Sequence, residues 1–126
     1  MSFHVELPPG FSENLLSPLD LNDADKTLTP KEFSYGIFTI SPTLERHLTL
    51  PDADILVAYE GSALKTGMGR KFYVRNDGVS AMSVHVGAGG TLNGSGTVAV
   101  GTFASHFYIR FTGVAPGSES YEVIRI

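Results

Sequence analysis

From Arg46 onward the chain is a series of short apolar–polar alternations cut apart by turn residues. Segments 70–76, 80–86, 97–100, 104–112 and 119–126 each carry the period-two pattern, or the β-branched and aromatic content, of a strand. Asp77-Gly78, the Gly-rich tract 87–96 and Pro116-Gly117 separate them. In 80–86, Met82, Val84 and Val86 alternate with Ser83 and His85, the pattern of a half-buried strand. In 104–112, Phe107, Ile109 and Phe111 alternate with His106, Tyr108 and Arg110, which predicts the first three in the core. The last strand offers Tyr121/Val123 on one face and Ile124/Ile126 on the other, so cover on both sides is expected. Asp-Gly between strands predicts a type I′ hairpin joining 70–76 to 80–86, because both central residues of that turn need positive φ. Together these segments predict an all-β fold: a compact antiparallel domain over residues 42–126.

A further strand is expected at 46–50, stopped by Pro51. Asp52 and Asp54 then precede Ile55, Leu56, Val57 and Ala58. Aspartate suits an N-cap and the positive end of a helix, so one short helical turn is predicted over 52–59. Residues 1–41 read differently. Pro8, Pro9, Pro18 and Pro30 remove backbone donors, and 20–27 is polar and acidic. This predicts an extended N-terminal arm with one strand at 33–40. Phe3, Val5, Phe11, Leu15 and Leu16 make the arm too apolar for a solvated tail, so these residues are expected to contact a partner.

Composition narrows the functional classes. The chain has 126 residues, a formal charge of −4 and no cysteine, which suits one domain without disulfides or thiolate metal sites. No Lys/Arg block marks a phosphate-tracking surface, so no nucleic-acid partner is expected. No apolar run approaches the roughly 20 residues of a membrane span, and the N-terminus lacks the basic and apolar regions of a secretory signal. Synthesis in a cytoplasm and no membrane partner are the expectations.

Candidate chemistry is sparse. Gly94-Ser95-Gly96-Thr97-Val98-Ala99 matches G-x-G-x-x-A, but a β-branched segment follows where a dinucleotide site needs a helix. Ser62-Ala63-Leu64-Lys65 and Lys65-Thr66-Gly67 share one lysine, whereas serine acyl-transfer enzymes need those motifs on separate elements. Asp20, Asn22, Asp23 and Asp25 lack the glycine and distal glutamate of a calcium loop and read as a solvated acidic loop. His4, His47, His85 and His106 have no metal-ligand spacing, although His85 and His106 could line up across a sheet or a symmetry axis. Asp52, Asp54, Glu60 and Asp77 are the carboxylates from which an acid–base pair could be drawn. Tyr59, Tyr73, Tyr108 and Tyr121 are expected in the core more than on a sugar-stacking face. No catalytic, metal-binding or cofactor-binding residue is singled out, so no enzyme activity and no cofactor are expected.

The order of elements from Arg46 to Ile126 resembles a β-domain of tailed-bacteriophage virion proteins. The resemblance rests on Leu48-Thr49-Leu50-Pro51-Asp52-Ala53-Asp54-Ile55, the aromatic strand Lys71-Phe72-Tyr73-Val74-Arg75-Asn76, the Gly-rich tract from Gly87 to Gly96, and the close through Thr112-Gly113-Val114-Ala115-Pro116-Gly117-Ser118. It implies an antiparallel jelly-roll-like sandwich or barrel. It also implies a structural role, as a capsid cement (decoration) protein on the virion exterior that binds the major capsid protein. Such domains are often homotrimers, so a homo-oligomer is expected. The alternative implied is a tail-fibre or spike module that binds a host glycan. No catalytic residue is carried over.

Overall fold

Through most of the chain, successive strands bury their apolar faces from opposite sides of one core. A computed structural model describes residues 18–101 and 104–126. In chain order the elements are β1 (Leu19–Asp20), β2 (Lys26–Thr27), α1 (Pro30–Phe33), β3 (Ile37–Ile40), β4 (Arg46–Thr49), α2 (Ala53–Glu60), β5 (Gly69–Asn76), β6 (Met82–His85), β7 (Gly90–Asn93), β8 (Thr97–Val98), β9 (Ser105–Gly113) and β10 (Ser120–Arg125). They form a six-stranded sheet, β1-β3-β5-β9-β10-β7, and a four-stranded sheet, β2-β4-β6-β8. From β1 to β9 the chain changes sheet at every strand.

That winding makes early neighbours parallel. Phe38 lies opposite Val74 and Leu48 opposite Val84 in parallel ladders. The β5–β9, β9–β10 and β6–β8 pairs are antiparallel. The chain is therefore mostly β, in two mixed sheets that do not close, and the expectation of a wholly antiparallel domain is corrected. Each early return from the four-stranded sheet carries a helix, α1 before β3 and α2 before β5. The next return, from β6 to β7, runs through Gly87, Ala88 and Gly89 instead.

The Asp77-Gly78 hairpin is also corrected. Both edges of β5 are occupied, by β3 and β9, so β6 has no place beside it and crosses to the other sheet. Gly78 is needed for close approach: a Cβ there would lie 2.3 Å from the Pro42 nitrogen. The crossing is held by Asn76, which is 1% exposed and the one fully buried polar side chain among the described residues. Its Oδ1 accepts from the Gly78 N–H at 2.9 Å. Its Nδ2 donates to the Ser80 carbonyl at 2.8 Å and the Val98 carbonyl at 3.1 Å, tying β5 of one sheet to β8 of the other.

The core follows the alternation. Phe107, Ile109 and Phe111 are buried, as expected, together with Phe72 and Val74 of β5 and Leu48, Met82, Val84 and Val98 of the facing sheet. Phe33, Phe72 and Phe107 form a ring series with centroids 5.2 Å apart at each step. The described part of the segment expected as an arm joins this core through Leu21, Leu28, Phe33, Phe38 and Ile40. The strand expected at 33–40 begins only at Ile37. A capping box places Phe33 in α1: Thr29 Oγ1 accepts from the Glu32 N–H and the Glu32 carboxylate accepts from the Thr29 N–H, with Pro30 at the helix start. The helical turn expected at 52–59 is α2, with Asp52 at the N-cap. The Asp52 carboxylate makes no capping bond; it accepts from the Ala88 N–H at 2.8 Å.

The Gly-rich tract contains β7, paired in parallel with β10. Gly90 lies under the Tyr121 ring, where a Cβ would come within 2.6 Å of ring carbons. The Tyr121 hydroxyl donates to the Pro51 carbonyl at 2.8 Å and accepts from the Gly87 N–H at 2.9 Å. On β10 only the Tyr121/Val123 face enters the core, and Ile126 is 60% exposed, which corrects the expectation of cover on both sides.

Asn76→Ala strands two carbonyls and an amide N–H, and should lower unfolding free energy in urea by about 2–4 kcal/mol. Burial, the largest cause, pushes the Tyr121 phenol from 10.0 up to about 12, so its contribution is complete below pH 10 and lost as pH rises towards 12. Tyr121→Phe should cost about 1–2 kcal/mol at neutral pH. Denaturant melts should show the difference between wild type and variant shrinking across that alkaline window.

Candidate interaction surface

The expected partner-contact residues Phe3, Val5, Phe11, Leu15 and Leu16 lie outside the described residues. Among the described residues the first strand begins at Leu19, which packs on the core, and β1 lies at one end of the strand order of the six-stranded sheet. The acidic cluster that follows is not simply solvated. Asp20 Oδ1 accepts from the Asn22 N–H at 2.9 Å. Asp23 takes the Thr43 N–H at 3.0 Å, the Thr43 hydroxyl at 2.6 Å and Arg46 Nε at 2.9 Å. Asp25 takes the His47 N–H at 2.9 Å. The cluster thus clamps the β1–β2 link to the β3–β4 loop. The Thr43 hydroxyl, then its N–H and Arg46, hold the Asp23 carboxyl down at about 2.

Loops that cross between the two sheets meet at one end of the molecule. Val79 and Ser80 donate their N–H groups to the Pro42 carbonyl, Asp77 donates to Ile40, and Gly101 donates to Asn76. On these bonded loops sit Leu44, Val79 and Val100, which are 62%, 78% and 44% exposed. Exposed aliphatics usually sit singly, so three on interlocked loops stand out as a contact feature.

The outer face of the six-stranded sheet carries the polar residues expected for β9: His106, Tyr108 and Arg110. His106 meets the Tyr73 ring edge-on, with centroids 4.7 Å apart. Tyr108 lies over Gly69, where a Cβ would be 2.7 Å from its hydroxyl oxygen. Arg110 pairs with Glu122 at 3.0 Å, and Asn93 Nδ2 donates to the same carboxylate at 3.2 Å. Arg110 first, then Asn93, draw the Glu122 carboxyl below its usual range. His85 and His106 lie on different sheets, so they do not line up across one. His85 instead meets His47 on the outer face of the four-stranded sheet, with centroids 4.5 Å apart.

The carboxylates considered for acid–base chemistry are dispersed. Asp52 holds Ala88, Asp54 accepts from the Ile55 N–H, Glu60 pairs with Arg70 at 3.2 Å, and Asp77 pairs with Arg75 at 2.9 Å. Glu60 and Arg70 line a cleft of about 190 Å³ with Leu64, Met68, Gly69 and Phe111. Gly96 leads into β8, not into the helix that a dinucleotide site requires. Of the tyrosines, Tyr121 is core, Tyr73 and Tyr108 are half-buried on the outer sheet face, and Tyr59 is exposed on α2.

Compared with known proteins, the chain matches no family model, no curated protein and no solved structure.

Asp23→Ala should lower stability at neutral pH. Because the folded-state pKa is depressed from 3.8 to about 2, that contribution exists above pH 3.8 and disappears as pH falls through 2. Acid melts of wild type and variant should converge across that interval.

Proposed function

We propose that the chain is a structural protein of a tailed-bacteriophage virion, a capsid cement (decoration) protein that binds the major capsid protein on the capsid exterior. The observation that carries this reading is the end formed by interlocked loops, where Val79 and Val100 sit on backbone bonded to Pro42 and Asn76, Leu44 follows Thr43, which Asp23 holds, and all three are exposed. Rigid, exposed aliphatics incur little ordering cost on docking, which suits a clasp. The resemblance over residues 46–126 supplies the identity of the partner and the jelly-roll-like kinship, and with them the homotrimer. In a symmetric shell each subunit needs only modest contact energy, because several linked contacts raise the effective concentration of the next. Phe3, Val5, Phe11, Leu15 and Leu16 would anchor the arm, and burying one phenylalanine contributes about 1.5–3 kcal/mol. No cofactor is required.

A second reading is kept because one observation favours it. Tyr73 and Tyr108 stand on one sheet face beside the Arg110–Glu122 pair, an arrangement able to stack and hydrogen-bond a sugar. A tail-fibre or spike module that binds a host glycan would use that face.

Purified protein added to undecorated capsids should bind, and light scattering should give the mass of a trimer. Leu44→Asp with Val79→Asp should leave the fold intact and weaken the affinity for capsids at least tenfold, about 1.4 kcal/mol. Removal of residues 1–18 should leave a folded domain that no longer decorates. Normal decoration by both forms would overturn the reading. Glycan-array binding lost in Tyr108→Ala would move the assignment to the second.

A further inference from the structure

We propose that His47 and His85 form a two-imidazole chelate for a divalent transition ion that prefers tetragonal geometry, copper(II) above all. The site lies on the outer face of the four-stranded sheet and is independent of any capsid role. β4 and β6 run parallel, with Thr49 opposite His85 and His47 opposite Ser83. The two histidines are therefore diagonal neighbours on one face, and both are exposed. Their ring centroids are 4.5 Å apart and their planes are inclined by 53°.

That separation bears on the choice of ion. With metal–nitrogen bonds of about 2.0–2.1 Å, each ring centre stands about 3.2 Å from the ion. Centres 4.5 Å apart then subtend roughly a right angle at the metal, the cis angle of tetragonal copper(II) or nickel(II) rather than the wider tetrahedral angle of zinc. Imidazole is a suitable donor for these ions, and copper(II) binds most tightly in the divalent series.

The surroundings also fit. Ser83 Oγ lies 3.0 Å from His85 Nε2. In the tautomer that carries its proton on Nε2, His85 donates to the Ser83 hydroxyl and keeps its lone pair on Nδ1 for the metal, the usual arrangement of an outer partner at a metal-bound histidine. Asp25 accepts the His47 backbone N–H at 2.9 Å and so fixes the main chain that carries one of the two imidazoles. Among the described residues no group of three His, Asp or Glu side chains converges, so water completes the coordination.

The test uses the full chain titrated with copper(II), read by calorimetry and electron paramagnetic resonance. The expected result is one ion per chain at this site with coupling to two imidazole nitrogens, retained in His4→Gln and His106→Gln. Either His47→Gln or His85→Gln should weaken binding at least about 30-fold, the loss of one arm of a chelate. Both residues are exposed, so metal-free melts should match wild type. On the unaltered protein, copper(II) should shield His47 and His85, and not His106, from diethylpyrocarbonate, as read by peptide mass spectrometry. Absence of a two-nitrogen signal, or a site that survives His47→Gln/His85→Gln, would overturn the proposal. Equal modification of all three histidines with and without metal would do the same.

Discussion

The buried amide of Asn76 is the contact on which the architecture turns. A polar group at 1% exposure is tolerable only when its hydrogen bonds are made, and here each is made to backbone that must change direction. Through Gly78 and Ser80 it folds the chain away from β5, and through Val98 it fixes the opposite sheet at that point. An apolar side chain could fill the volume but would leave the crossing carbonyls without partners. Pro42, itself buried, receives the same crossing from the other side through its carbonyl.

The exposed features follow from that crossing. Because the chain alternates sheets, the loops at the Asn76 end come from separate parts of the sequence yet bond to one another, and their exposed aliphatics are held in place. At the other end Tyr121 performs a similar task, joining Pro51 and Gly87 through one hydroxyl. The same alternation brings β4 beside β6 and so places His47 next to His85, residues that share no local motif. The exposed features are consequences of a winding pattern rather than of any single segment.

Local pattern was legible where burial is carried by the segment's own side chains. Phe107, Ile109 and Phe111 alternate cleanly and are buried, and the strand at 70–76 and the helix after Asp52 stand within a residue of their expected positions. It misled where partners lie elsewhere. Asp77-Gly78 has hairpin chemistry, but its glycine answers to the Pro42 backbone. Gly90 reads as turn because the bulk above it belongs to Tyr121. Parallel and antiparallel strands share the same alternation, so pairing direction was not readable. Helix α1 was readable: Thr29-Pro30-Lys31-Glu32 is a capping box with proline at the first position, but the apolar run from Phe33 to Ile40 obscured it. Of the interaction surface, the outer face of β9 was visible in advance, while the loop aliphatics and the histidine pair depend on topology.

From β1 to β9 consecutive strands go to opposite sheets, with Asn76 at the β5–β6 crossing. Backbone nuclear Overhauser contacts test it most directly. Parallel contacts are expected between Phe38 and Val74 and between Leu48 and Val84, with no ladder between β5 and β6. A continuous set of cross-strand contacts joining 70–76 to 80–86 around Asp77-Gly78 would contradict it.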